Sequence, residues 1–476
     1  MKGLTDSTES RKRMIWIIVV LWFSAPLFAD YPVTRFGAVG DGMMLNTEAI
    51  QQAIDACAAD GGGRVVIPPG RYLSGTLVLR DHVELHLSAG AVLLGSTDIG
   101  DYPEIVTPYR FYGDEWVRQS LIFGYGLTHI AITGKGVIDG QGGAFRVDTK
   151  KRPDRYMNRP YLVRFTECSY VTLKDVMMRN SAMWMQHYLA CDHVRITGIT
   201  VFNHCNQNND MIDIDGCSNV IISDCRGDTD DDALTLKSTS LRPCENITIT
   251  NCILSSHCNA IKFGTESTGG FRNITISNCI IKPSADRQVI YGFPDGISGI
   301  SLETVDGGIL EGVVISDVLI DGPEVPLFIR LGYRARPYME GAEPPPPGPL
   351  QDVTLRNILV QNGGKIGCSI TGIPGHPVRN IRISGLTMEL EGGVNDARDM
   401  ETVPEMIDSY PESTMFGVLP SSLFFIRHAE GISLQNIRAR FSQPDRRPHL
   451  VLDNAEDMDY DDIMIHGAEP LRVVER

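Results

Sequence analysis

Asn219-Val-Ile-Ile-Ser-Asp-Cys225 is followed 27 residues later by Asn246-Ile-Thr-Ile-Thr-Asn-Cys252 and, after a further 27, by Asn273-Ile-Thr-Ile-Ser-Asn-Cys279. Each copy alternates apolar with polar residues and is rich in Val, Ile and Thr, which predicts a short strand. Gly, Asn, Ser and Asp residues between the copies indicate turns. A unit of this length, with short strands and no helix, is typical of a parallel β-helix, whereas a propeller blade needs about 40 to 45 residues.

Further copies of the same segment extend the repeat in both directions. The second residues of the nine copies are Val171, Val194, Val220, Ile247, Ile274, Val313, Val353, Ile381 and Ile432. Three intervals are longer than the rest, and we interpret them as loops inserted into otherwise regular turns. We therefore predict an all-β fold, a single-stranded right-handed parallel β-helix (a solenoid).

The N-terminal third predicts a modified end of the solenoid. The segment Asn46–Cys57 has a capping residue followed by apolar positions at Ile50, Ala53, Ile54 and Cys57, which predicts a short amphipathic helix that closes the core. We expect one domain over residues 30–476, with this cap at about 30–110.

The first 29 residues predict a secretory signal peptide. Arg11-Lys12-Arg13 precedes the apolar run 14–23, and Ala29 offers a small residue before the cleavage position. The apolar run is too short to span a bilayer, although an uncleaved anchor remains the alternative. We expect a secreted or periplasmic protein with no membrane association after cleavage.

The net charge limits the kinds of partner that the protein can bind. The formal net charge of −16 argues against nucleic acid as a partner.

The chain has 11 cysteines and no CxxC pair. Two cysteine series recur at intervals of 26 or 27: Cys191, Cys217 and Cys244, and Cys225, Cys252 and Cys279. We interpret them as repeated core fillers, with disulfides left open by the expected oxidising compartment.

Acidic residues recur at nearly the period of the repeat. Asp231 follows Asp210 by 21 residues, and His257 follows Asp232 by 25. Residues one period apart stack on successive turns, so these side chains are expected on one face. Crowded carboxylates raise one another's pKa, which suits acid/base hydrolysis of a glycosidic bond. The alternative is a solvated acidic turn or a calcium site.

The same motifs resemble glycoside hydrolase family 28, the polygalacturonase family of pectin-degrading right-handed β-helix enzymes. The resemblance rests on Asn208-Asn209-Asp210-Met-Ile-Asp213, on Asp231-Asp232-Ala-Leu-Thr-Leu-Lys-Ser238, on His257, on Phe328-Ile-Arg-Leu-Gly-Tyr333 and on Phe36-Gly-Ala-Val-Gly-Asp-Gly42. It implies that Asp231 is the general acid and that Asp210 and Asp232 hold the attacking water. It also implies that His257 positions or tunes this catalytic group. It also implies substrate contacts from Asn208 and Tyr333.

The sequence departs from the family pattern at two places, beside His257 and at the clamp for the sugar carboxylate. His257 is flanked by Ser256 and Cys258 where the family has glycines. The family's Arg-x-Lys clamp for the galacturonate carboxylate is replaced by Ser301 and Glu303. Candidate replacement cations are Lys262, Arg330, Arg334 and Arg336, and Trp184 is a candidate sugar-stacking residue.

We therefore expect an inverting glycoside hydrolase that acts on a pectic or related polysaccharide or oligosaccharide as a monomer, without a metal or other cofactor. Two other classes remain open. A polysaccharide lyase on the same scaffold would need calcium and a basic proton acceptor. A non-catalytic polysaccharide-binding β-helix, such as an adhesin, would show scattered acids and no cleft. The sequence alone leaves the sugar, the linkage and endo or exo action undetermined.

Overall fold

A computed structural model of the 476-residue chain describes residues 30–113, 116–147, 149, 151, 153–395, 403–467 and 470–476. The signal peptide predicted for residues 1–29 lies outside this range. Among the described residues, no helix is long and apolar enough to cross a membrane.

The described residues form one sheet of 33 strands, with every named strand pair parallel. The N-terminal strands are β1 (Asp30–Pro32), β2 (Asp41–Leu45), β3 (Gly63–Ile67), β4 (Gly70–Ser74), β5 (Leu77–Val78), β6 (Val83–Leu87), β7 (Ala91–Gly95), β8 (Ser120–Tyr125), β9 (Ala131–Gly134) and β10 (Val137–Asp139). The central strands are β11 (Tyr161–Thr166), β12 (Ser169–Lys174), β13 (Met177–Arg179), β14 (Gln186–Leu189), β15 (Asp192–Thr197), β16 (Thr200–Asn203), β17 (Ile212–Asp215), β18 (Ser218–Ser223), β19 (Arg226–Thr229), β20 (Leu234–Ser238), β21 (Cys244–Thr250), β22 (Ile253–Ser256) and β23 (Asn259–Ser267). The C-terminal strands are β24 (Gly270–Ile281), β25 (Ser298–Thr304), β26 (Ile309–Asp321), β27 (Val325–Leu331), β28 (Gln351–Gly363), β29 (Cys368–Thr371), β30 (Val378–Gly392), β31 (Phe424–Gln443), β32 (Leu450–Ile465) and β33 (Val473–Glu475).

The strands wind into a right-handed parallel β-helix with three faces. We call one the front face; it consists of β8, β11, β14, β17, β20, β23, β25, β27 and β29 in that order. The other two are formed by separate short strands up to β22 and then by the long strands β24, β26, β28 and β30, which continue round the corner between them.

The predicted register is confirmed at every copy of the repeat. Val220 pairs with Ile247, and Ile247 pairs with Ile274. The same ladder continues through Val313, Val353, Ile381 and Ile432. The three long intervals are loops, over residues 282–297, 332–350 and the described parts of 393–423.

Asparagine recurs at the first position of the repeat because the backbone there adopts a left-handed conformation. Asn219, Asn246 and Asn273 have φ of 58°, 57° and 54°. Asn tolerates this left-handed region better than most residues do. Their side-chain amides also stack along the solenoid, at 3.5 Å between Asn246 and Asn219 and 3.3 Å between Asn273 and Asn246. The repeat therefore encodes the corner of each turn as well as the strand.

The cap helix α1 (Thr47–Ala59) buries Ile50, Ala53, Ile54 and Cys57, as predicted. Asn46 stands at the N-cap position but makes no side-chain cap bond to the helix. Its amide is instead used by the preceding loop, where it accepts from the Val39 N–H at 2.7 Å and donates to the Met44 carbonyl at 2.6 Å. Asn46, which the sequence predicts to be a helix cap, therefore stabilises the loop that precedes the helix.

All eleven cysteines are free, and ten of them are buried. In the series Cys191–Cys217–Cys244, the Cys191 N–H lies 3.3 Å from the Cys217 sulfur on the next turn. The apolar core runs the length of the solenoid between the three faces, and both cysteine series lie in it. This confirms the cysteines as core fillers.

Candidate active site

The three acidic motifs lie in successive turns that lead into the front face. Asp210 precedes β17, Asp231 and Asp232 precede β20, and His257 precedes β23. Backbone hydrogen bonds align these turns: the Met185 N–H donates to the Asp210 carbonyl at 3.0 Å, and the Met211 N–H donates to the Asp232 carbonyl at 3.0 Å. The near-period spacing in the sequence therefore becomes side-by-side stacking.

The carboxylates of Asp210, Asp231 and Asp232 converge, with one oxygen of each within 4.8 Å of the others. Two oxygens up to that far apart can each accept a hydrogen bond of about 2.8 Å from a single water. The cluster has the donors and acceptors to hold a water and a proton at once.

The polar contacts differ between the three acids. Asp232 accepts from the Asn259 side chain at 2.7 Å and pairs with Lys262 at 3.1 Å, contacts that a carboxylate anion makes best. Asp231 accepts from the Asn208 amide at 3.4 Å. One oxygen of Asp210 is buried without a hydrogen-bond partner among the described residues. Asp232 is thus fixed in place by Asn259 and Lys262, and Asp210 has an acceptor to spare.

Burial and neighbouring charge shift two of the acids. Burial, and then the adjacent Asp232 carboxylate, raise the pKa of Asp231 to about 7. Burial, and then Asp213 and Asp231, hold the pKa of Asp210 well above its usual range. Because these groups interact, the shared proton belongs to the cluster rather than to one residue. A proton donor therefore persists at neutral pH.

The acids open into a cavity of about 430 Å³. Its floor contains the three acids together with Trp184 and Lys237. Four connecting segments wall it, contributing Tyr112 and Trp116, Arg155 and Tyr156, Tyr291 and Gly292, and Tyr410 and Glu412. The last pair belongs to the third long loop, in its described part 403–423.

Lys237 is buried at the centre of the acidic floor. Its Nζ lies 3.4 Å from Asp213, 3.7 Å from Glu266 and 3.9 Å from Asp210. It also lies 4.6 Å from the centre of the Trp184 ring. Burial alone would lower the pKa of Lys237, but these carboxylates outweigh it and raise the pKa well above the usual range. Lys237 is therefore a fixed positive charge that offsets the surrounding acids.

His257 is fully buried and faces away from the cavity. Its Nδ1 lies 2.9 Å from Asp230 and its Nε2 lies 2.9 Å from the Asp286 carbonyl oxygen. A carbonyl only accepts, so both ring nitrogens act as donors and the ring is an imidazolium. Burial lowers the pKa of His257, but the bonds to Asp230 and Asp286 outweigh it and raise the pKa. Among the described residues, no hydrogen bond or ion pair joins His257 to Asp231, so no direct contact supports the expectation that His257 positions that group.

The Asp230–His257 pair holds the loop 282–297. Asp230 accepts from the backbone N–H groups of Ile290 at 2.7 Å and Tyr291 at 3.0 Å. A Cβ on Gly292 would collide with the His257 carbonyl oxygen, so the loop packs directly against that backbone. We call this arrangement the His257 clasp. It fixes the segment that brings Tyr291 to the cavity wall.

The predicted substrate contacts separate into two groups. Asn208 and Trp184 line the cavity, whereas Lys262 lies just behind it on Asp232. Arg330 is buried away from it and donates to the backbone carbonyls of Gly372, Glu405 and Met406. Tyr333 is half-buried and is not among the described residues that line the cavity.

The replaced clamp position does not carry a free negative charge. Glu303 is buried and accepts from Ser301 at 2.6 Å. Burial raises the pKa of Glu303 to about 8, which leaves it protonated at neutral pH. The nearby Arg334 pairs with Asp306, and Arg336 pairs with Glu266 at 2.5 Å. Glu303 therefore repels a uronate less than an ionised carboxylate at this position would.

Two groups of side chains have ligand types suited to a metal. In the cluster His204, Asp230 and His257, both nitrogens of His257 are used as donors, so it has no lone pair for a cation. In the cluster Asp210, Asp231 and Asp232, the ammonium groups of Lys237 and Lys262 already lie against the carboxylates.

Sequence reasoning missed most of the residues that line the cavity, and six of them have charged or polar side chains that matter below. These are Arg155, Lys237, Glu266, Tyr291, Tyr410 and Glu412. The repeat could have indicated Lys237. This residue lies on β20, one turn of the solenoid after Asp213 and Asp215 on β17, and it pairs in register with Asp215. The others lie in long connections or, for Glu266, beyond the regular register of β23.

The family model of glycosyl hydrolases family 28 matches residues 64–407. A probable polygalacturonase of Vitis vinifera is 36% identical over 213 residues, which is 43% of this chain and 43% of the Vitis protein. An exo-poly-alpha-D-galacturonosidase of Dickeya chrysanthemi is 39% identical over 127 residues, 25% of this chain and 20% of that protein. The chain thus spans less than half of the length of these curated relatives.

Among solved structures, the family 28 exopolygalacturonase of Yersinia enterocolitica superposes with a TM-score of 0.66. The match covers 90% of this chain and 78% of the Yersinia chain at 21% identity. At that identity the likeness concerns the fold, and it agrees with the β-helix described above.

Proposed function

The chain belongs to glycosyl hydrolase family 28, and on that premise we propose that it hydrolyses O-glycosidic bonds of a pectic or related polysaccharide by an inverting acid/base mechanism. The observation that carries the proposal is the convergence of Asp210, Asp231 and Asp232 at the floor of one cavity. A lyase would call for a basic proton acceptor, and an adhesin would not need three acids in one place.

In the proposed mechanism Asp231 protonates the leaving oxygen, because its raised pKa of about 7 keeps the proton available at neutral pH. Asp232, fixed by Asn259 and Lys262, accepts a proton from the attacking water. Asp210 supplies the second acceptor that aligns this water. The departure of the leaving group and the attack of water then occur on opposite faces of the sugar, with inversion at the anomeric carbon.

We propose exo action, because the four wall segments turn the cleft into a pocket. A chain end can enter a pocket closed by Tyr112, Tyr156, Tyr291 and Tyr410, whereas the middle of a polymer needs an open groove. The names of the Dickeya and Yersinia proteins agree with this mode for those proteins.

The biological setting follows from the sequence. We propose that residues 1–29 direct export, that residues 30–476 act as one domain, and that the enzyme meets its substrate outside the cytoplasm as a monomer. N-terminal sequencing of the exported protein tests the cleavage after Ala29, and light scattering tests the monomer.

The function is tested by incubating the protein with polygalacturonate and short oligogalacturonates. We expect release of single terminal residues from the start of the reaction, seen by chromatography, and inversion at the new reducing end, seen by NMR. Asp224→Asn is the matched control, since Asp224 is an exposed aspartate on the same turn of the solenoid. Unsaturated products would indicate a lyase, and random fragments would refute exo action.

A further inference from the structure

A uronate substrate needs a cation in the cavity, and few are free. Among the described lining residues, five are acidic and two are basic, Arg155 and Lys237. Lys237 is surrounded by three carboxylates and cannot turn to a substrate without exposing them. The family's own clamp position carries Ser301 and Glu303 instead of cations.

The other nearby cations already have partners. Lys262 is paired with Asp232, Arg334 with Asp306 and Arg336 with Glu266. Arg159 is buried and donates to the Ala182 carbonyl at 2.9 Å and to the Arg155 carbonyl at 2.8 Å. Breaking buried charge pairs is costly, and Arg159 already donates to two backbone carbonyls, so none of these side chains is available for substrate.

Arg155 differs from all of them. It forms no ion pair with any described residue, and its Nε has no hydrogen-bond partner there. Its Nη2 donates a hydrogen bond to the Tyr291 hydroxyl. The guanidinium lies 5.4 Å from the Tyr156 ring centre and 5.1 Å from that of Tyr291. Arg155 is therefore a charged, planar side chain on the cavity wall that pairs with no described carboxylate.

The support behind Arg155 is rigid. The Tyr291 hydroxyl accepts from Arg155 and donates to Gln207 at 2.6 Å. The Tyr291 N–H is bound by Asp230, and Asp230 is bound by His257. The guanidinium is therefore oriented before substrate arrives, which lowers the entropy lost on binding.

We infer that Arg155 is the carboxylate-binding residue of this cavity and receives the carboxylate of a hexuronate, in place of the cations that the family pattern has near Ser301. The inference rests on the proposed function for its substrate class. A guanidinium and a carboxylate can form two parallel hydrogen bonds, which gives selectivity over a neutral sugar. Arg155 thereby sets which sugar is accepted, while the three aspartates set the chemistry.

The test compares Arg155→Gln with the parent enzyme on trigalacturonate and on its carboxyl-reduced counterpart. We expect kcat/KM on trigalacturonate to fall by roughly 10- to 100-fold, the loss of a charge-assisted contact, with little change on the reduced substrate. Arg146→Gln is the matched control, because Arg146 is an exposed arginine of the same connection outside the cavity lining. Equal losses on both substrates, or no loss, would overturn the inference.

A binding experiment separates this inference from the proposed function. Calorimetry measures the affinity of digalacturonate for Asp231→Asn and for the double variant Asp231→Asn/Arg155→Gln. A tenfold or greater weakening in the double variant supports the Arg155 site even where the parent enzyme hydrolyses neither substrate. Unchanged affinity overturns the Arg155 site even where hydrolysis is observed.

Discussion

Asp230 and Asp231 are neighbours in the chain but face opposite sides of the same turn. Asp230 is fully buried and receives three donors, from His257 and from the N–H groups of Ile290 and Tyr291. Asp231 faces the cavity, and the nearest charges to it include another carboxylate. The same residue type thus serves as an anchor where its charge is compensated and as a proton donor where it is not.

The first prediction concerns the cavity side of this comparison. Asp231→Asn removes the proton donor, so we expect kcat to fall by about 10²- to 10⁴-fold. The fold should remain intact, because no buried ion pair is broken. Steady-state kinetics and urea unfolding measure the two effects. An active Asp231→Asn enzyme would rule out Asp231 as the general acid.

The second prediction concerns the anchor side. His257→Gln leaves Asp230 buried without its positive partner, and breaking a buried pair costs about 3–5 kcal/mol. We expect that loss in urea unfolding, together with a raised KM as Tyr291 loses its support, and a smaller change in kcat than for Asp231→Asn.

A double-mutant cycle sharpens the second prediction. Adding Asp230→Asn to His257→Gln removes both charges, so the two losses of stability should not add. Additive losses would show that His257 and Asp230 do not act as a pair.

The third prediction is the pH dependence. Activity should fall by about tenfold per pH unit above pH 7, as Asp231 loses its proton. The free energy of unfolding should also depend on pH through the ionisation of Asp231. Its folded pKa of about 7 lies above the unfolded value of about 3.9, so its contribution is present below pH 4 and is lost as pH rises through 7.

The difference in melting temperature between Asp231→Asn and the parent should therefore grow from pH 4 to pH 8, in favour of the variant. Thermal unfolding at several pH values measures it. His257, also raised in pKa, is common to both proteins and cancels in the comparison. A constant difference would contradict the raised pKa of Asp231.

The fourth prediction has the smallest effect. His257 contacts the carbonyl of Asp286, whereas the Asp286 side chain is half-buried and, among the described residues, accepts from the Gln288 N–H at 2.8 Å. Asp286→Ala should therefore change the free energy of unfolding by less than about 0.5 kcal/mol. A loss as large as that of His257→Gln would mean that the clasp depends on the Asp286 carboxylate.

The repeat made the fold predictable in detail. Because side chains alternate along a strand, the positions Val171 to Ile432 could be placed in register from their spacing alone. The same periodicity placed Asp210 and Asp232 on neighbouring turns. Periodic residues are predictable because the position of one turn dictates that of the next.

The cavity wall was not predictable in this way. Arg155, Tyr291 and Tyr410 lie in connections whose lengths follow no period, so no neighbouring turn fixes their place. Arg330 shows the opposite failure: its strand position was right, but buried backbone carbonyls took its donors. The family resemblance implied that His257 positions or tunes the catalytic group, but the carboxylate that His257 contacts is Asp230.

The free cysteines have a consequence for how the protein can be made. Burial holds the thiol pKa of Cys191, Cys244 and Cys258 well above the usual range, so the folded chain has little thiolate to oxidise there. The unfolded chain has no such protection, and disulfide formation takes seconds to hours. Folding speed in an oxidising medium then decides the yield. A reductant supplied during refolding should raise recovery of active enzyme, whereas the same reductant added to the finished protein should change nothing.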